Sequence, residues 1–178
     1  MLKRSRAIVL CLCFCLFFTG LSLWAVEKKT SLKKAAQFTI KDSRGKKFNL
    51  DKELKKGPMV ISFWATWCAP CLKELKIMKS YYKPYEKAGV QFIAISIDDH
   101  KTASKVPAVV KSHRLPYKIL LDPNKHAFSR FQGRYPPLTI VIDQSGDILY
   151  YHIGYKKGEE KGLIKVLDQL IKDKNSST

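Results

Sequence analysis

The sequence predicts an α/β fold, with a central mixed sheet flanked by helices and preceded by an N-terminal β-hairpin. Three observations carry this. Short apolar runs alternate with helical patterns between residues 59 and 121, and strands joined by crossover helices lie parallel in one sheet. The turn residues Asp42-Ser43-Arg44-Gly45 separate two alternating apolar stretches, which sets a hairpin ahead of that unit. Ser145-Gly146 joins two later apolar runs before a closing amphipathic helix, which adds a second hairpin to the sheet.

Taken in order, Phe38 and Ile40 alternate with polar neighbours, and Phe48 with Leu50 does so again after the turn. Gly57-Pro58 marks a loop. Residues 59–65 form a nearly continuous apolar run, as expected of a central strand covered on both faces. From Ala69 to Lys87, Cys71, Leu75 and Met78 fall on one helical stripe with lysines opposite, and Gly89 ends the helix. A second buried strand follows at 90–97, then a weaker helix at 102–113 whose start Pro107 leaves open. A strand at 117–121, a short helix at 125–131, and strands at 138–142 and 148–153 continue the pattern. Leu163, Val166, Leu167 and Leu170 share the apolar face of a last helix at 163–171.

The folded domain is placed at residues 37–173, with a polar, lysine-rich linker at 26–36 and a tail at 174–178. Residues 1–25 read as an export signal: Lys3, Arg4 and Arg6 precede an apolar run at 7–23, and Ala25 follows. This segment serves either as a cleaved signal peptide or as a retained membrane anchor. Export places the domain on the periplasmic or extracytoplasmic side of a bacterial membrane. The formal charge of +18 is spread through every segment, which fits a solvated surface and allows association with anionic membrane. No motif for reading nucleic acid is present.

Of the five cysteines, Cys11, Cys13 and Cys15 lie within the apolar run and read as small hydrophobes. Cys68 and Cys71 alone remain in the domain, so a disulfide scaffold is excluded and redox chemistry leads. Disulfide exchange requires one accessible thiolate to attack and a second thiol to resolve the mixed disulfide. The pair falls at the carboxyl end of a central strand and the start of the next helix, where open α/β sheets place their sites. At the helix N-terminus Cys68 faces unpaired N–H groups and the positive dipole end, which lowers a thiol pKa. Cys68 is therefore the nucleophile and Cys71 the resolving thiol, the two forming a redox-active disulfide with no other cofactor. Pro70 suits the first helical turn, and Trp67 shields one side of the site, whereas Trp64 reads as core. A zinc site would need two further ligands, and His100, His113, His126 and His152 are scattered.

The run Phe63-Trp64-Ala65-Thr66-Trp67-Cys68-Ala69-Pro70-Cys71 resembles the thioredoxin superfamily, and within it the TlpA-like and ResA-like extracytoplasmic thiol–disulfide oxidoreductases. The resemblance extends over residues 37–171, including the N-terminal hairpin and the run from Pro136 to Asp143. It implies a thioredoxin-like fold, a cis-proline at Pro137 beside the cysteines, and a substrate groove built from Trp67, Ala69, Pro70, Pro136 and Pro137. It also implies that Glu74 moves protons at the site, and the spacing of three from Cys71 puts both on one helix face. Two departures stand out. Ser62 occupies the position near which many thioredoxins carry a buried aspartate, and it cannot act as that base. Lys76 replaces a helix-kinking proline, which implies a straighter helix.

The function implied is reduction of disulfides in exported proteins, apocytochrome c before haem attachment among them, with a membrane electron donor restoring the dithiol. The Ala-Pro centre resembles that of reducing thioredoxins. The alternative is a copper-site assembly factor that binds Cu(I) or reduces a metal-binding partner's cysteines, since soft thiolates suit Cu(I).

Overall fold

The computed structural model describes residues 34–176 apart from residue 43, so the export segment and most of the linker lie outside the described residues. Among the described residues seven strands form one sheet, in the order β2 (Lys47–Asn49), β1 (Thr39–Asp42), β5 (Lys118–Leu121), β4 (Gln91–Ser96), β3 (Met59–Trp64), β6 (Leu138–Ile142) and β7 (Ile148–Ile153). The N-terminal hairpin pairs β1 (Thr39–Asp42) with β2 (Lys47–Asn49). Its turn is built by the Asp42 carboxylate, which accepts the N–H groups of Arg44 and Lys46 at 2.9 Å each. Leu50 is not part of this strand, contrary to its alternation. Asn49 caps α1 (Leu50–Leu54) by accepting the Lys52 N–H at 3.0 Å, and the helix buries Leu50 and Leu54.

The next unit supplies the parallel core. β3 (Met59–Trp64) is buried at every residue and lies parallel to β4 (Gln91–Ser96), which lies parallel to β5 (Lys118–Leu121). Between β3 and β4 runs α2 (Ala69–Lys87), with the bounds its periodicity gives. It also contains Pro84, a proline near its end that the helical pattern passes over. The second crossover splits into a 3-10 turn at Ala103–Lys105 and α3 (Val106–His113), so that Pro107 stands in the first turn, where a missing N–H costs nothing.

The chain then turns antiparallel. A short α4 (His126–Arg130) leads to β6 (Leu138–Ile142), which pairs with β3, and β7 (Ile148–Ile153) adds the edge. The last helix, α5 (Glu160–Ser176), runs past both ends of its apolar stripe and takes in residues assigned to the tail. The chain also joins the domain before Gln37: Lys34 bridges to Asp147, and the buried Ala35 donates its N–H to Gly146 O at 2.8 Å.

Alternation along β3 sorts the two faces. Phe63 packs against Phe128 and Phe131 with ring centroids 5.4 and 5.8 Å away. Ser62 points the opposite way, toward α2. On that side α5 lies beside α2, and Tyr85 donates to Asp168 at 2.8 Å. Among the described residues, no helix is long and apolar enough to cross a membrane.

Candidate active site

Cys68 is the N-cap of α2, and Pro70 sits in the first turn. The backbone N–H of Cys71 donates to Cys68 Sγ at 3.3 Å. The cysteines form a disulfide across a Cα–Cα distance of 5.3 Å. In this state Cys71 is fully covered, and only Cys68 keeps a solvent edge, at 5% exposure. On reduction the same N–H and the positive helix end face the Cys68 sulfur, which favours its thiolate.

The loop before the cysteines is held by a residue that the sequence reading passed over. Asp98 is buried, and its carboxylate accepts the Thr66 N–H at 2.8 Å, the Thr66 hydroxyl at 2.6 Å and the Ser96 hydroxyl at 2.8 Å. Thr66 is thereby tied to the end of β4, two residues before Cys68. An aspartate just past a buried strand is the signal that was present, but only the β3–β4 pairing brings it to Thr66.

Around the disulfide, Ala69, Pro70 and Trp67 are exposed, and Trp67 is 59% open to solvent. Trp64 is buried in β3. The peptide bond between Pro136 and Pro137 is cis. Pairing of Leu138 with Phe63 puts Pro137 at the carboxyl end of β3, the end from which the chain enters Cys68. Pro137 is buried, Pro136 is half-buried, and the neighbouring Tyr135 is 57% exposed. Trp67 and Tyr135 are the large hydrophobic side chains that the described residues leave open.

Glu74 lies on the covered face of α2, one turn beyond Cys71. The carboxyl is buried, and each oxygen meets one hydroxyl: Thr139 donates at 2.8 Å and Ser62 at 3.1 Å. Burial pushes its pKa up to about 7, against the smaller opposing pull of those two hydroxyls. Ser62 and Thr139 are directly paired across β3 and β6. Ser62 and Thr139 thus hold the Glu74 carboxyl between them.

The four histidines do not converge. His100 meets Asn124 and His126 meets Arg130 at the surface, whereas His152 lies on β7 against Glu159. Among the described residues no group of three His, Cys, Asp or Glu side chains is placed to hold a metal ion.

Residues 32–151 match the AhpC/TSA family, two thirds of the chain. The chain belongs to that family. It is 32% identical over 166 residues to the thiol-disulfide oxidoreductase ResA of Bacillus cereus, covering 89% of this chain and 94% of that protein. A thioredoxin-like protein from Porphyromonas gingivalis superposes with a TM-score of 0.66 at 36% identity, over 76% of this chain and 90% of the other. StoA from Bacillus subtilis has the same fold, with a TM-score of 0.58 at 22% identity over 71% and 94% of the two chains. This AhpC/TSA member is a ResA-like thiol–disulfide oxidoreductase with the thioredoxin-like fold.

Proposed function

We propose that the protein works outside the cytoplasm as a reductant of disulfides in exported proteins, apocytochrome c among them, with Cys68 and Cys71 as the exchanging pair. The observation that carries this reading is Glu74, a buried carboxyl of pKa about 7 on the helix face of the resolving cysteine. A base near neutrality can take the Cys71 proton and still release it, whereas an ordinary carboxylate is too weak a base. The basic N-terminus with its apolar run supports export. The Ala-Pro centre supports the reducing direction.

In the forward direction the Cys68 thiolate attacks a substrate disulfide. A Cys68–substrate bond forms, and the electron pair of the broken S–S bond leaves on the first substrate sulfur, which takes a proton from water. Glu74 then accepts the proton of Cys71. The Cys71 thiolate attacks Cys68 Sγ, forming the intramolecular disulfide and releasing the second substrate sulfur as a thiolate. Two electrons and two protons from a membrane donor restore the dithiol. Trp67, Ala69, Pro70, Pro136 and Pro137 form the groove that receives the substrate.

Trapping tests the reading directly. A Cys71→Ser variant, expressed as the full chain, should accumulate mixed disulfides through Cys68 with exported cysteine-containing proteins. Recovery of none, or equal trapping by Cys68→Ser, would overturn the assignment.

A further inference from the structure

A proton taken by Glu74 must reach solvent before the next turnover, and the carboxyl itself is closed off. The sheet supplies a direction. Ser62 on β3 pairs with Thr139 on β6, and Thr139 pairs with His152 on β7. Directly paired residues project from the same face with Cβ atoms about 4.5–5.5 Å apart. Two hydroxyls and an imidazole therefore form a row across three adjacent strands, under Glu74 and out to the sheet edge. Beside this row is a cavity of about 10 Å³, lined by Glu74, His152, Glu159, Tyr81, Tyr150 and Tyr155. That is room for about one water with polar partners on several sides. At its outer end His152 Nε2 lies 3.1 Å from Glu159 Oε2, and these side chains are 33% and 38% exposed.

We propose that His152, backed by Glu159, carries protons between Glu74 and solvent through this water-sized cavity. The inference rests on the reading of Glu74 as the acceptor of the Cys71 proton. When Cys71 attacks Cys68, the proton on Glu74 passes through the cavity to an unprotonated nitrogen of His152. The imidazolium so formed is held beside the Glu159 carboxylate and gives its proton to bulk water. No electrons move in this step, and Glu74 returns to its carboxylate.

The other titratable groups facing Glu74 do not compete. Tyr81 of α2, Tyr117 before β5, Tyr150 of β7 and Tyr155 before α5 are all pushed upward by burial, Tyr150 and Tyr155 to about 12. They stay neutral at working pH and act as walls. Glu160 also lines the cavity, but its carboxylate accepts the Tyr155 hydroxyl at 3.1 Å and the Gly158 N–H at 2.8 Å, and backbone hydrogen bonds hold it below the usual carboxylate range, so it stays ionised. His152 and Glu159 are the remaining groups that couple to Glu74 by charge, the first favouring its ionised form and the second opposing it. In this scheme His152 is a positioning residue that acts through Glu74.

The experiment follows single-turnover oxidation of the reduced full-length protein by a peptide disulfide across neutral pH, in H₂O and D₂O. Wild type is compared with His152→Ala, Glu159→Gln and the control His126→Ala, each checked for native circular dichroism. His152→Ala should move the midpoint governed by Glu74 to higher pH and lower the plateau rate by about tenfold. It should also enlarge the solvent isotope effect and regain rate with added imidazole. Glu159→Gln should move the midpoint the other way, and His126→Ala should change nothing. A shifted midpoint with an unchanged plateau and no imidazole rescue overturns the relay, because His152 would then act by its charge alone. Loss of the midpoint in Glu74→Gln with no effect at His152 also sinks the relay but leaves Glu74 in place. If Glu74→Gln keeps the wild-type profile, the reading of Glu74 fails first and the relay with it.

Discussion

Asp98 shows how one side chain can govern a reactive loop from outside it. Three donors converge on its carboxylate, two of them from Thr66, and a buried donor left without a partner costs about 1–3 kcal/mol. Asp98→Ala should therefore destabilise the domain by about 1–3 kcal/mol in urea unfolding, since the Ser96 hydroxyl is buried while the two Thr66 donors are partly open to water. In the reduced protein it should also narrow the difference in alkylation rate between Cys68 and Cys71, because the loop that presents Cys68 is released. A variant as stable as wild type would show that Thr66 finds other partners. Ser62 gives the complementary case. Its hydroxyl donates to the Glu74 carboxyl on the facing helix, so the buried acid of this layer stands on the helix and not on the strand.

At the scale of elements, α2 carries the cysteine pair, and the proposed substrate groove takes Pro136 and Pro137 from the turn into β6. The N-terminus of α2 presents Cys68, and its first turns place Cys71 and Glu74 on the covered side. Pro136 lies before β6, at the position whose backbone would pair with an extended substrate segment, and proline has no N–H to donate. Pro136→Thr should restore one main-chain donor and tighten mixed-disulfide formation with a peptide substrate by about 0.5–1.5 kcal/mol. It should leave exchange with a small-molecule disulfide nearly unchanged. Equal effects on both substrates would show that Pro136 acts on the thiols and not on docking. Exposed Trp67 and Tyr135 fit the same picture, since amphipathic aromatics supply contact area where a backbone hydrogen bond is missing.

For the whole molecule, Glu74 links the active site to stability. Its carboxyl has a pKa of about 7 when folded and 4.5 as a free side chain. The folded chain therefore holds more protons between these values. The stability contributed by neutral Glu74 is complete below pH 4.5 and is lost as pH rises through about 7. The loss amounts to about 3 kcal/mol from the size of the shift. Glu74→Gln keeps a hydrogen-bonding side chain without the charge, so its stability relative to wild type should rise across that window and then level off. Urea unfolding of the oxidised proteins over the same pH range checks this. A constant difference would mean that Glu74 does not change its charge on unfolding. Asp42, Asp99, Glu159 and Glu160 are held low by backbone hydrogen bonds, so they act oppositely and weaken the fold as the pH becomes acid.

Apart from α1, the chain by itself determined the strand and helix order, the bounds of α2, and the placement of Cys68 at the helix start. Each of these follows from local periodicity, turn residues and caps, which act over a few positions. Leu50 was misplaced because one short alternation serves a strand or a capped helix equally well, and the Asn49 side chain decides between them. Asp98, the Ser62 and Thr139 hydroxyls on Glu74, and the neighbourhood of His152 were decided only by the tertiary structure. Asp98 stands 32 positions from Thr66, and Ser62 and Thr139 stand 12 and 65 positions from Glu74. Strand register is what brings them together, and register is a property of the packed sheet. Whether a glutamate on a lysine-rich helix is an ordinary surface charge or a base near neutrality depends on what covers it, and only the assembled fold provides that cover.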